Sequence, residues 1–203
     1  TSERFRIQPS NPLDKRLIQR VNKTLALDEV TGVAVESTNT YDVYNNVTAN
    51  TTKRGALVNG AISAVETTTT TAVFGIHGTP VPALPESITV TNTRSGQSPF
   101  SKKTDFTYDN VGNLITKVDF SGKAKAITTT NTYGAYGNIT QQDIAASGVS
   151  TRTQKFTYDN TGRFLLQKEI VGTDVSQKTV YTYEPVLGNI ATQVSADGLT
   201  TSY

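Results

Sequence analysis

Apolar and polar positions alternate along most of the chain with the two-residue period of half-buried strands, and short clusters of Asp, Asn and Gly interrupt the alternation at regular intervals. Residues 106–120 show one unit of the pattern. Phe106, Tyr108, Leu114, Val118 and Phe120 are apolar at even positions, and Asp105, Thr107, Lys117 and Asp119 are polar between them. This predicts two strands sharing one apolar face. Asp109 can accept a backbone N–H of its own turn, and Gly112 supplies the positive φ at which a hairpin loop of three to five residues closes.

The unit recurs. Tyr108, Tyr133, Tyr158 and Tyr183 are spaced 25 residues apart, and a fixed period decides the fold before any single residue does. Their motifs read Tyr108-Asp109-Asn110-Val111-Gly112, Tyr133-Gly134-Ala135-Tyr136-Gly137, Tyr158-Asp159-Asn160-Thr161-Gly162 and Tyr183-Glu184-Pro185-Val186-Leu187-Gly188. A polar or basic residue follows each glycine (Asn113, Asn138, Arg163, Asn189), and then an apolar one (Leu114, Ile139, Phe164, Ile190). Gly122, Gly148, Gly172 and Gly198 mark the return turns, so each period is two strands and two turns.

Tyr-Asp-x-x-Gly-[Asn/Arg]-[Leu/Ile/Phe], preceded two residues earlier by an aromatic (Phe106, Phe156, Tyr181), resembles the tyrosine-aspartate repeat of the Rhs/YD-repeat proteins. The resemblance runs from residue 101 to the end. Two units depart from it: the Tyr133 unit has Gly134 for the Asp and Asn131 for the aromatic, and the Tyr183 unit has Glu184 and one additional turn residue. Members with long arrays wind into a hollow β-shell around a toxic or otherwise sequestered polypeptide, or form the surface barrel of cell-contact proteins. The resemblance therefore implies a secreted or cell-surface protein, with neighbouring repeats of a parent chain and an enclosed C-terminal toxin domain as partners. YD repeats are also linked to carbohydrate binding, which makes a glycan the alternative ligand, with Tyr44, Tyr136 and Phe100 as its platform. The family's self-cleaving aspartyl-protease element and variable toxin lie beyond the repeats, and no stretch of this chain matches them.

Before the clear repeats, Tyr41-Asp42-Val43-Tyr44-Asn45-Asn46-Val47-Thr48 aligns with the Tyr133 unit as a degenerate copy, with Asn45 in the glycine position. Residues 28–32 read as a turn. Both Gly55 and Asn59-Gly60 fit the return turn. Five threonines at positions 67–71, followed by Pro80, Pro82 and Pro85, interrupt the period; the prolines predict an extended connection over residues 79–86. Gly96 serves the return turn before Tyr108. The expected organisation is an N-terminal segment at 1–63, a Thr/Pro-rich connection at 64–86, and an array of about four units at 87–203.

Composition sharpens this outline. Roughly a sixth of the 203 residues are threonine, which favours strands, and hydrophobic residues make up 35%, so the core is modest. The chain lacks methionine and begins with Thr1, which reads as a piece of a longer protein; Thr200-Thr201-Ser202-Tyr203 reads as a strand leading into a further repeat. The net charge of +2 is uneven, because Arg4, Arg6, Lys15, Arg16, Arg20 and Lys23 face only Glu3 and Asp14 in residues 1–24. That segment carries the one helix pattern, with Asn11 as N-cap, Pro12 at the first position, Asp14 in the first turn, and Leu13, Leu17, Ile18 and Val21 on one face. It suits covering a sheet edge or meeting an acidic surface. The fold expected is all-β: tandem antiparallel hairpins in an open, curved sheet, with this one short N-terminal helix.

Candidate chemistry is sparse. With no cysteine, disulfides, thiolate metal sites and a cysteine nucleophile are excluded. His77 is the single histidine, so a histidine triad or multi-histidine metal site would need another subunit. Asp109 and Asp159 are repeat equivalents, and turn capping explains them better than acid–base work; the turns lack the dense acidic ladder of a calcium loop. The sequons at Asn22, Asn46, Asn50 and Asn138 arise readily in a threonine-rich chain. The repeats have no basic stripe for nucleic acid and no membrane-length apolar run. A non-catalytic protein without cofactor or metal is expected. Its candidate residues are structural: Tyr41, Asn45, Tyr108, Asp109, Gly112, Tyr133, Gly137, Tyr158, Asp159, Gly162, Tyr183 and Gly188.

Overall fold

The computed structural model describes residues 2–7, 18–77, 83–172 and 176–203, with side chains from Arg20 onward. These residues form two compact units, Thr1–Thr104 and Asp105–Tyr203. The first holds β1 (Ser2–Ile7), β2 (Ile18–Leu27), β3 (Val33–Tyr41), β4 (Val47–Val58), β5 (Ala61–Gly75), β6 (Leu84–Arg94) and the start of β7 (Phe100–Tyr108). Within it β1 to β5 each pair antiparallel with the next strand. The second holds the end of β7 and then β8 (Leu114–Asp119), β9 (Ile127–Tyr133), β10 (Ile139–Ala146), β11 (Val149–Tyr158), β12 (Leu165–Val171), β13 (Gln177–Tyr183), β14 (Ile190–Val194) and β15 (Thr200–Ser202). From β8 onward its strands also pair antiparallel in chain order. The fold is all-β and open.

The sheet has almost no core. Among the described residues Ala34 is the only buried hydrophobic side chain, and Thr104 and Asn131 are the buried polar ones. Contacts within each unit are overwhelmingly between neighbouring strands, so no second layer covers either face among the described residues. Strand pairing, rather than packing of two layers, accounts for most of the order.

The helix expected from Asn11 to Val21 is corrected where it can be followed. Ile18 and Val21 lie in β2, where Ile18 pairs with Ile7 and Val21 with Arg4, while Asn11, Pro12, Leu13, Asp14 and Leu17 fall outside the described residues. Two flanking strands supply β2 with backbone partners, and that pairing overrides a local helical pattern. No helix occurs among the described residues.

The return turn after β4 is Asn59-Gly60, with φ of 50° and 78°, the type I′ geometry that suits a two-residue hairpin. Gly55 instead sits inside β4, opposite Ala34, where the register slips and β5 contributes an extra residue, Val65. A Cβ on Gly55 would come within 2.8 Å of the Ser63 carbonyl carbon and closer still to its oxygen. Gly55 is required by close backbone approach rather than by a turn. Residues 64–75, the start of the expected connection, continue β5, and β6 begins at Leu84. Pro85 is accommodated at a second register slip, where Phe74 pairs with Pro85 and Val73 with Ser87.

Candidate functional site

The tyrosine turns share one construction. At Asp109 the backbone N–H donates to the Asn113 carbonyl at 3.0 Å, and the Gly112 N–H returns to the Asp109 carbonyl at 3.2 Å. The Asp109 carboxylate accepts the N–H groups of Val111 and Asn113 at 3.0 and 2.8 Å and the Asn113 side-chain amide at 2.9 Å. Gly112 has φ of 89°. The degenerate unit repeats this arrangement with Asp42, which accepts from Tyr44, Asn46 and the Asn46 amide, while Asn45 holds φ of 74°. Asp42, Asn46 and Asn113 thus belong with the candidate residues. The signal for them was the Asp-x-x-[Gly/Asn]-Asn spacing common to both turns.

The other turns vary the loop while keeping the glycine. Gly137, Gly162 and Gly188 have φ of 77°, 70° and 72°. At Tyr133 no carboxylate is present, and the backbone closes the turn unaided, Gly134 N–H to Asn138 at 2.8 Å. Beyond Tyr158 the loop is one residue longer, since the Asp159 N–H reaches the Phe164 carbonyl at 2.9 Å and Tyr158 pairs with Leu165. Leu165, not Phe164, therefore takes the strand position held by Ile139 and Ile190, which corrects the alignment read from the sequence. In the Tyr183 loop, also longer, Glu184 caps Val186 and Leu187 at 2.9 and 2.6 Å, its additional methylene spanning the larger turn.

These caps fix the protonation behaviour of the carboxylates. Partial burial pushes the Asp109 carboxyl up, but hydrogen bonds from the Asn113 side chain and from the N–H groups of Asn113, Val111 and Gly112 outweigh it and hold it below the usual value. Asp159 is lowered chiefly by the Phe164 N–H and then by the Thr161 hydroxyl. Both lie one repeat apart in the same capping role, and each is committed to its own turn.

A second set of contacts joins one hairpin to the next. Tyr41, Tyr133 and Tyr183 each donate their hydroxyl to a carbonyl on the preceding strand: Val21 at 2.7 Å, Leu114 at 2.9 Å and Leu165 at 2.9 Å. Two residues before the first two of these tyrosines, the Asn39 and Asn131 amides donate to the same carbonyls at 2.9 Å. Asn131 also accepts the Gln142 amide at 3.0 Å. The missing aromatic of the Tyr133 unit is thus replaced by a hydrogen-bonded amide. Loop also meets loop. The Tyr136 ring lies over Gly162 and its hydroxyl donates to the Asn160 carbonyl at 3.0 Å, while Phe164 lies over Gly188 and meets the Tyr183 ring at 4.6 Å between centroids. A side chain at either glycine would collide with the ring from the preceding repeat.

The tyrosine turns also displace the alternation. A register slip accompanies Tyr41, Tyr133, Tyr158 and Tyr183, with an extra residue on the return strand. In the second unit, Thr107 and Thr116 share a hydroxyl contact at 2.6 Å, which places Thr116 and Val118 on the face opposite Phe106. Phe120 is not a strand residue but opens the return turn at φ of 56°. Phe106, Tyr108, Phe156, Tyr158, Tyr181 and Tyr183 remain on one half-buried face. The opposite face carries threonine pairs, Thr107 with Thr116 and Thr182 with Thr192, each 2.6 Å apart.

Among the described residues no three His, Cys, Asp or Glu side chains come together as a metal site. His77 lies 3.3 Å from Glu86. The sequon amides of Asn46, Asn50 and Asn138 all donate hydrogen bonds within the sheet or its turns. Of the candidate glycan platform, Tyr44 and Tyr136 are each 66% exposed and Phe100 is 60% exposed. Beside Tyr136 is a depression of about 180 Å³ lined by Asn138, Thr140, Tyr158 and Asp159.

No family model and no curated protein matches the chain. Among solved structures, a crystal structure of TcdB2-TccC3-Cdc42 matches at a TM-score of 0.40 and 12% sequence identity, over 95% of this chain and 13% of that one. The chain therefore spans about an eighth of the length of the protein it matches.

Proposed function

We propose that the chain is a non-catalytic structural segment of a secreted or cell-surface protein of the Rhs/YD-repeat kind, forming part of a β-wall that encloses a toxin or other polypeptide. The observation that carries this reading is a regular sheet that buries one hydrophobic side chain among its described residues; apolar side chains left exposed on such a sheet favour polypeptide packed against it. The turn carboxylates and tyrosines fit such a wall, because each is engaged in closing a turn or joining neighbouring hairpins. The test is limited proteolysis of the intact protein isolated from its native source. Enclosure predicts a non-repeat polypeptide that resists protease until the wall is opened by denaturant. A repeat chain that purifies with no protected polypeptide refutes it.

The second reading is a glycan-binding or adhesive module, favoured by the exposed Tyr136 ring beside Asn138 and Asp159. One ring face already lies on Gly162 and the hydroxyl is bonded to Asn160, so only the outer face could stack on a sugar. Saturable oligosaccharide binding abolished by Tyr136→Ala, with the fold intact, would favour this reading over the wall.

A further inference from the structure

In the first unit, at the end of the strands away from the Tyr41 turn, five residues stand directly opposite one another across neighbouring strands: Ala26, Val35, Arg54, Glu66 and Arg94. Residues paired across strands share a sheet face. The row therefore reads apolar, apolar, basic, acidic, basic across β2 to β6. The bulge at Val65 bends β5 here, with its carbonyl accepting the Ser95 N–H at 3.0 Å, and the missing side chain at Gly55 allows the close approach. The result is a depression of about 500 Å³ whose apolar lining includes Val33, Ala56 and Val65. It shares Arg54 and Val33 with a depression of about 440 Å³ toward Ala26, and Glu66 and Arg94 with a third of about 290 Å³ toward Phe100. Together they form a groove.

The charges along it are unbalanced. Arg94 pairs with Glu66 at 3.6 Å, whereas Arg54 is exposed and has no hydrogen bond or ion pair among the described residues. Asp28, at the far end, is engaged by Val30 and Thr31 of its own turn. An unpaired guanidinium over an apolar floor favours a carboxylate carried on an apolar body. Four strand spacings make the row about 20 Å long, the reach of about six extended residues.

We propose that this groove docks an extended polypeptide segment in which an acidic and an aliphatic side chain stand two positions apart and so face the groove together, with a carboxylate on Arg54 and an aliphatic side chain on Val33, Ala56 and Val65. The assignment rests on the groove's own geometry and stands whether or not the wall encloses a cargo. A fluorescein-labelled peptide of about seven residues, with aspartate and valine taking turns at its odd positions and serine between them, is titrated with the full chain and followed by anisotropy; its asparagine counterpart and the Arg54→Glu variant are the comparisons. The expected result is saturable binding that weakens at least about tenfold with either change, as loss of a charge-assisted contact requires. Absence of saturation up to about 1 mM overturns the assignment, as does binding indifferent to Arg54→Glu in a variant whose circular dichroism matches the parent. Should that variant fail to fold, hydrogen exchange on the unaltered chain decides: slowing by the peptide confined to residues 33–35, 54–56 and 64–66 supports the groove, and any other pattern overturns it.

Discussion

Gly55→Ala separates backbone approach from backbone conformation. Gly55 does not have positive φ, so its dihedral angles alone make alanine acceptable there, and reduced freedom of the unfolded chain would stabilise by about 0.4–1 kcal/mol. The surroundings reverse that sign. The new methyl would lie 2.8 Å from the Ser63 carbonyl carbon and 3.0 Å from the Ala64 Cα, where unstrained carbon contacts need about 3.5–4.0 Å. These obstacles and the Ser63 carbonyl oxygen, which lies nearer than either, are all backbone held by the β4–β5 ladder, so relief requires a shift of more than about 1 Å in the bulge. Overpacking of this kind costs about 1–3 kcal/mol, and the upper half of that range, less the unfolded-state gain, leaves about 2 kcal/mol. For a chain of this length that lowers Tm by about 4–8 °C. Thermal unfolding followed by circular dichroism measures it, with Gly60→Ala as the reference: its methyl meets nothing within 4 Å, and only the φ of 78° opposes it, at about 1 kcal/mol. An unchanged or raised Tm for Gly55→Ala, or a larger loss at Gly60, refutes the reasoning.

Further substitutions probe the links between repeats. Gly162→Val places a branched side chain at φ of 70° against the Tyr136 ring and should cost more than about 1 kcal/mol in thermal unfolding; a neutral effect would mean the turn is misread. Asn131→Ala removes one of the two donors to the Leu114 carbonyl, leaving the Tyr133 hydroxyl, and removes the acceptor of the Gln142 amide, an expected loss of about 1–2 kcal/mol by urea titration, and a change below about 0.5 kcal/mol would show that water replaces both bonds at little cost. Tyr183→Phe, which deletes only the bond to Leu165, should cost about 1 kcal/mol. The pH dependence follows from the turn carboxylates. Asp28, Asp109, Asp159 and Asp197 all sit below the usual 3.8 in the fold, so the stability they contribute is complete above that value and is lost as pH falls through their lower folded values. Tm should be level from neutrality to about pH 5 and fall below about pH 4; a Tm unaltered down to pH 2.5 would show that the caps do not couple to folding.

The fold was legible where chemistry is local. Asp109 with Gly112 and Asn45 with its neighbours specify their turns through hydrogen bonds and φ within five residues, and those signals survive in any surroundings. What escaped was non-local. The helical pattern ending at Val21 is genuine in the sequence, yet β1 and β3 claim that stretch as a strand. Gly55 looked like a turn because its spacing from Tyr41 fits, whereas its reason is the Ser63 carbonyl on the next strand. The slips beside each tyrosine invert which face later residues occupy, so Val118 leaves the face of Phe106 although both hold even positions. The hydroxyl bonds from the motif tyrosines to the preceding strand were likewise invisible, because a tyrosine at that spacing reads equally as an apolar strand residue.

The central claim is that the aromatic face of the second unit, carrying Phe106, Phe156 and Tyr181, is covered by polypeptide in the working protein. Hydroxyl-radical footprinting reads it directly, comparing the isolated 203-residue chain with the intact protein from its native source. The account predicts that these three half-buried side chains are labelled in isolation and protected further in the intact protein, while Val186 and Leu187 at the tip of the Tyr183 loop, 83% and 74% exposed, change less. Equal labelling of the three aromatics in both samples would leave the face bare in the working protein and contradict the wall.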